Sequence, residues 1–214
     1  MNKQDFLARL VLRPDLPLPQ PPARPGPAPG DLVQELRDRL EAGGCGVQRV
    51  DGARAALAAA LAVLRQAGVS RAGYAGLSQE MATLLPGAAQ AAGLEMLPAP
   101  DGLAGAPALI EPLPAGLTVC ELAVAQTGGL LQLAGLEGGR LLSLLPPLHV
   151  ALVHESAILP DMEALAAALQ DGERFPQGPP AAALISGPSK TADIEGIMIK
   201  GVHGPGRLEV ILWA

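Results

Sequence analysis

Cysteine is scarce in this chain: 214 residues carry only Cys45 and Cys120, far apart and with no Cys-x-x-Cys spacing. That leaves no disulfide framework and no ligand set for a cysteine-held iron–sulfur cluster within the chain. Aromatic residues make up 2%, with one Trp and one Tyr, too few for a base-stacking platform. Positive charge is also thin. Fifteen Lys and Arg face 21 Asp and Glu, giving a net charge of -6 and a pI near 5.0. No basic face gathers anywhere, which argues against a nucleic-acid partner. No apolar run reaches about 18 residues, and no charged-then-apolar leader precedes a small-residue cleavage site. A soluble, cytoplasmic protein is expected.

Two phosphate motifs are missing as well. No G-x-G-x-x-G opens a helix after a strand, so a Rossmann dinucleotide site has no support. Gly187-Pro188-Ser189-Lys190-Thr191 resembles a phosphate loop only superficially, because Ser189 stands where the motif needs glycine before the lysine. His149 and His154 bracket a strand-like run, five apart and so on opposite faces. With no third ligand nearby they read as surface or edge histidines, and no metal is predicted.

What is present is apolar mass. Hydrophobic residues make up 49%, and a domain of this size buries about 70% of its unfolded surface. Residues 1–13 place Phe6, Leu7, Leu10 and Val11 at helical spacing. Eight prolines between Pro14 and Pro29 make the next segment an extended linker rather than a helix or strand. The expected division is therefore an N-terminal helix and Pro-rich linker over 1–30 and one α/β domain over 31–214.

Within that domain, Asp31 can cap a helix with Leu32, Val33, Leu36 and Leu40 on one face, stopped by Gly43-Gly44. A short strand over Gly46 to Val50, an Ala-rich helix from Ala53 to Ala67 and a strand near Ala72 to Ala75 follow. A helical region then runs from Ser78 through Leu85, and on to Ala92 after a break at Pro86, before a strand from Leu94 to Leu97. This alternation predicts a mixed, largely parallel sheet flanked by helices. From Leu117 helix-length spacers vanish, so 117–154 is expected to be strand-rich, including Leu141 to Leu145. Asp161 to Leu169 forms one more helix, and Arg207 to Trp213 a buried final strand.

The chemistry concentrates in residues 184–206. Ser186, Ser189 and Thr191 bring hydroxyls, Lys190 and Lys200 amines, Asp193 and Glu195 carboxylates and His203 an imidazole, interrupted by five glycines. Such a mixture does not build a core. The apolar run at 181–185 feeds into Ser-Gly-Pro and predicts a buried strand ending in a turn, where ligands sit in open α/β sheets. Ser189, Thr191, Lys190 and backbone N–H groups of the turn at Ser186 and Gly187 would hold a carboxylate or phosphate there. Lys190 either meets the ligand or is a solvated surface lysine. Asp193 and Glu195 would pair on a strand and diverge on a helix, with local caps or salt bridges as the alternative. His203 either serves as an acid–base group or pins its glycine-rich loop.

The run Ile185-Ser186-Gly187-Pro188-Ser189-Lys190-Thr191-Ala192-Asp193-Ile194-Glu195, followed by Gly201-Val202-His203-Gly204-Pro205, resembles the C-terminal signature of the LUD-domain family that includes lactate utilization protein C. Gly116-Leu117-Thr118 with Ala123-Val124-Ala125-Gln126-Thr127-Gly128 resembles that family's second motif, where an acidic residue commonly stands in place of Gln126. Leu144 to Val153 resembles its strand-proline-His region. The similarity covers about residues 31–214.

The resemblance implies a fold similar to the sugar-phosphate isomerase and CoA-transferase-like group. It implies a role in bacterial oxidation of L-lactate to pyruvate, with iron–sulfur clusters on partner proteins and no cofactor within this chain. Thr127 and Gly128 join the candidate substrate-binding residues, and Asp193, Glu195 and His203 are the candidate catalytic groups. If the family's acidic residue were a nucleophile, Gln126 could not replace it. Two other functions stay open: a stand-alone enzyme on a phosphosugar, CoA ester or folate, and a ligand-binding regulatory module without turnover.

Overall fold

Asp31 opens the first helix as the sequence requires, its carboxylate accepting from the N–H groups of Val33 and Gln34. Helix α1 (Leu32–Gly43) then stops at Gly44, which takes the left-handed conformation at φ 92°. The computed structural model describes residues 31–99, 108, 110, 112–133, 139–171, 181–192, 198–201 and 203–214. The helix and linker expected over residues 1–30 lie outside these.

Strand β1 (Gly46–Val50), helix α2 (Ala53–Gln66), strand β2 (Arg71–Ala75), helix α3 (Gln79–Ala92) and strand β3 (Glu95–Pro98) follow in the expected alternation. Helix α2 buries Ala53, Ala56, Leu57, Ala60, Leu61 and Leu64, the i, i+3, i+4 stripe of a helix lying on a sheet. Each fully buried leucine contributes about 1.5–3 kcal/mol. Helix α3 runs unbroken through Pro86, against the expected interruption. Pro86 is exposed, while Met81, Leu85 and Ala89 are buried. Packing of that stripe holds the helix together across the lost hydrogen bond.

The chain continues with β4 (Ala115–Val119), β5 (Leu122–Val124), β6 (Gly129–Leu133), a short helix α4 (Gly139–Leu142), β7 (Leu148–His154) and β8 (Ile158–Leu159). Helix α5 (Met162–Leu169), capped by Asp161, precedes β9 (Ala182–Ile185), β10 (Lys190–Ala192), β11 (Met198–Lys200) and β12 (Arg207–Trp213). Six strands form one sheet in the order β1-β12-β7-β4-β2-β3, and every pairing in it is parallel. A four-stranded sheet, β8-β5-β6-β9, carries the antiparallel pairings β5–β6 and β6–β9, and β10 and β11 form a separate hairpin.

The parallel sheet is covered on both faces. Leu117, Leu148, Val150, Leu152 and Ile211 pack under α2 and α3. The alternate residues Ala151, Val153, Leu208, Val210 and Leu212 pack with Leu36 and Leu40 of α1 and with Ala123 and Leu130 of the small sheet. The period of two along each strand sends neighbours to opposite layers, and a sheet covered on both faces reads as the continuous apolar runs seen here.

Three further expectations change. Leu141 and Leu142 belong to α4 rather than a strand, and α4 lies across Gly116, where a β-carbon would collide with the Leu142 carbonyl. Residues 182–185 are an edge strand of the small sheet with alternating exposure, not a buried strand of the parallel sheet. Ile185 packs partly against the core between the two sheets, and Leu184 stays 40% exposed. His149 is neither surface nor edge: it sits near the start of β7, a central strand, and is fully buried.

Candidate functional site

Along β7, His149 falls on the same side as Ala151 and Val153, facing α1 and the small sheet. Gly116 pairs with it in register on β4, and Thr118 lies two residues further along that strand. His149 Nε2 lies 2.9 Å from Thr118 Oγ1. The Thr118 hydroxyl donates in turn to Gln132 Oε1 of β6 at 2.8 Å, and Gln132 Nε2 donates to the Val119 carbonyl at 3.3 Å.

The two bonds of Gln132 fix its amide, so Oε1 faces Thr118. Thr118 has one proton and gives it to Gln132, so it must accept from His149. His149 therefore carries its proton on Nε2, and Nδ1 is a bare lone pair. Nδ1 is buried and has no hydrogen-bond partner among the described residues. Burial pushes the His149 imidazole down to about 4 from the ordinary value of 6.5, so the ring is neutral near pH 7.

This histidine borders a cavity of about 240 Å³, below the roughly 300–1,000 Å³ of sites for drug-sized ligands and suited to a small molecule. Its polar lining is Ser143, His149, Ser186, Ser189 and His203, and apolar walls come from Leu144, Leu184, Ile185, Pro205 and Leu208. The glycine-rich turns let these segments meet. Gly187, at φ 124°, passes against the Gly43 carbonyl at the end of α1, a conformation that favours glycine. The Ser189 N–H donates to the Pro205 carbonyl at 2.8 Å, and the Gly201 N–H to the Ser189 carbonyl at 3.0 Å. Ser186, Gly187, Ser189 and His203, single points in the sequence pattern, thus converge on one cavity with His149.

Other candidates fall elsewhere. Lys190 Nζ donates to the Gly43 carbonyl at 2.6 Å. Thr127 and Gly128 lie in and after the turn that follows β5, with Gly128 against Arg39 and Leu40 of α1, and neither lines the cavity. Gln126 is in the same turn, its N–H bonded to the Pro160 carbonyl. Thr191 lies in β10. Asp193 and Glu195 lie outside the described residues.

The cavity is next to the first residues of β7 and β12, the amino ends of parallel strands, whereas ligands in open α/β sheets sit at the carboxyl ends. The reason is topological: Ile185 ends a strand of the small sheet, to which that rule does not apply. At the carboxyl ends, His154 packs edge-on against Trp213 at 4.3 Å. Arg49 binds both carboxylate oxygens of Glu155 at 2.6 and 2.9 Å, holding that carboxyl below its usual range.

Neither cysteine offers a nucleophile. Burial pushes the Cys45 thiol up to about 11, partly offset by the nearby Lys190 ammonium, and drives the fully buried Cys120 higher still, so both stay protonated. Among the described residues no group of three or more His, Cys, Asp or Glu is placed to hold a metal, and no helix is long and apolar enough to cross a membrane. Chemically, the site offers a neutral histidine acceptor, three serine hydroxyls and an exposed imidazole in an apolar setting.

Sequence reading missed Thr118, Gln132, Ser143 and His149. A signal was present: threonine, glutamine and histidine each interrupt an otherwise apolar strand, and such residues need buried partners. Which of them meet was not readable before the strand order was known.

The fold and site define an α/β protein with a parallel six-stranded sheet and a small, mostly apolar cavity with a few polar groups between that sheet and a second one. Residues 109–213 match the family model for the LUD domain. That stretch, just under half of the chain, is similar to the LUD domain. It is 39% identical over 101 residues to lactate utilization protein C of Exiguobacterium sp., covering 45% of this chain and 43% of that one. It is 38% identical over 101 residues to lactate utilization protein C of Deinococcus radiodurans, covering 45% and 44%. A further relative, the uncharacterized protein YkgG of Escherichia coli K12, is 43% identical over 94 residues, covering 42% and 39%. The matched region thus spans about two-fifths of these relatives' length. A crystal structure of a DUF162 family protein from Deinococcus radiodurans superposes with a TM-score of 0.55 at 24% identity, covering 86% of this chain and 96% of that chain, a likeness of fold.

Proposed function

We propose that this protein is a component of L-lactate utilization that binds a small carboxylate in the cavity bordered by His149. The observation that carries the reading is a fully buried polar side chain with an unpartnered nitrogen beside three serines and His203. Buried polar groups are rarely left unpaired, and those that are need an explanation such as a ligand. The names of the relatives supply the lactate context. Ser186, the Gly187 backbone, Ser189 and His203 would hold the carboxylate. Asp193, Glu195 and Thr191, from the segment that carries the β10–β11 hairpin, are candidates to complete the site. Residues 31–214 are proposed as one folding unit, since β1 to β3 and the strands of the matched region share one sheet.

With two buried cysteines and no cluster motif, electron transfer by iron–sulfur centres is assigned to partner proteins. The test is growth of the source organism on L-lactate as sole carbon source after deletion of the gene, with complementation by wild type, His149→Gln and Asp193→Asn. A growth defect restored by wild type and not by His149→Gln supports the reading. Normal growth of the deletion strain, with no second copy of the gene, overturns it.

A further inference from the structure

We propose that residues 1–13 dock in cis on the apolar surface formed by Leu144, Leu145 and Leu184, beside the cavity described above. The docking is independent of which ligand that cavity takes. Among the described residues these leucines are the large apolar side chains that stay exposed, at 37%, 38% and 40%. They come from distant parts of the chain, the segment after α4 and the edge strand β9, yet Leu144 and Leu184 line the same cavity. A single exposed leucine needs no explanation, whereas exposed apolar side chains gathered in one place mark an interaction surface.

Residues 1–13, outside the described residues, supply a complementary face: Phe6, Leu7, Leu10 and Val11 fall on one side at helical spacing. A helix this short gains its stability from packing that face against something. The tether can deliver it. Helix α1 from Leu32 to Gly43 is about 18 Å long, and its far end meets Ser186 and Gly187 of the cavity. The Pro-rich residues 14–30 extend at about 3.1 Å each, or up to about 50 Å in all, well beyond that length.

Charge agrees with this placement. Residues 1–13 carry Lys3, Arg9 and Arg13 against Asp5, whereas the chain as a whole carries -6, so the segment is attracted to the rest of the protein. A groove between α2 and α3 fits less well, since it is lined by alanines with Leu61 and the like-charged Arg65 and exposes no large apolar side chain. The tether also holds the segment at an effective concentration on the order of millimolar, which favours this chain's own segment over that of a second copy.

The experiment uses full-length 15N-labelled protein with Ala8→Cys carrying a nitroxide. Position 8 lies off the apolar face, and Cys45 and Cys120 are buried, so the label goes to the introduced cysteine. The amides of Leu144, Leu145 and Leu184 should lose most of their NMR intensity and regain it when the nitroxide is reduced, while those of Ala58 and Ala91 keep theirs. A second sample mixes nitroxide-labelled protein lacking 15N with unlabelled 15N protein, and no loss is expected there.

Equal loss in the mixed sample makes the occupant a second copy and overturns the proposal. No loss at the three leucines leaves that surface to another partner and also overturns it, as does loss centred on the α2–α3 groove. Leu10→Asp and Leu184→Asp each put a carboxylate into the contact and should restore the intensities, with the remaining spectrum unchanged. Leu145→Asp tests the same contact from outside β9. Intensity still lost in folded Leu10→Asp and Leu145→Asp proteins overturns the docking.

Discussion

Lys190 Nζ lies 2.6 Å from the carbonyl oxygen of Gly43, the last residue of α1. The end of a helix exposes unsatisfied carbonyls and partial negative charge, and a lysine there satisfies both. The contact ties the segment entering the β10–β11 hairpin to α1, and so holds Ser186 to Ser189 over the cavity. Lys190→Met should lower stability by up to about 1 kcal/mol, read from urea unfolding, while leaving the affinity for small carboxylates unchanged. Lost affinity at unchanged stability would place the amine on the ligand instead.

His149 gives stability a defined pH dependence. Its folded value is about 4 against an ordinary 6.5, so between these the unfolded chain binds the extra proton. Stability must fall as pH drops from about 6.5 toward 4, by about 3 kcal/mol from this residue once below both values. Unfolding free energies at pH 7 and pH 4.5 for wild type and His149→Gln isolate the effect, because the other titrating groups are common to both. A smaller drop in the variant is expected; equal drops would mean that the imidazole is not held neutral.

Pro86 is exposed in the interior of α3. It removes one helical hydrogen bond and contributes no buried side chain, so Pro86→Ala should stabilise the protein by about 1–3 kcal/mol. The check is a higher urea midpoint with an unchanged slope.

Gln126, the position at which the resemblance implies an acidic residue, lies in a turn that packs beside α1, and its N–H is bonded to the Pro160 carbonyl. Gln126→Glu should leave carboxylate affinity unchanged in titrations with L-lactate. A gain of affinity or of turnover would bring position 126 into the site.

Most elements were legible from local sequence. The Asp31, Ser78 and Asp161 caps each accept a backbone N–H of the first turn, and the α2 stripe and Arg207–Trp213 fall where periodicity placed them. These are decided within a few residues by hydrogen-bonding side chains and by the 3.6 and 2 periods. The turn residues around Gly187 and His203 stood out because their mixed chemistry cannot form a core. Sequence alone could not decide that Ala182–Ile185 leaves the parallel sheet, since a one-sided edge strand and a short buried strand share an apolar pattern. Nor could it show that Gln132, Thr118 and His149, from three strands, form one chain of hydrogen bonds. That depends on which strands are neighbours and which faces meet, and pairing is settled by long-range packing, so the buried end of the site belongs to the tertiary structure.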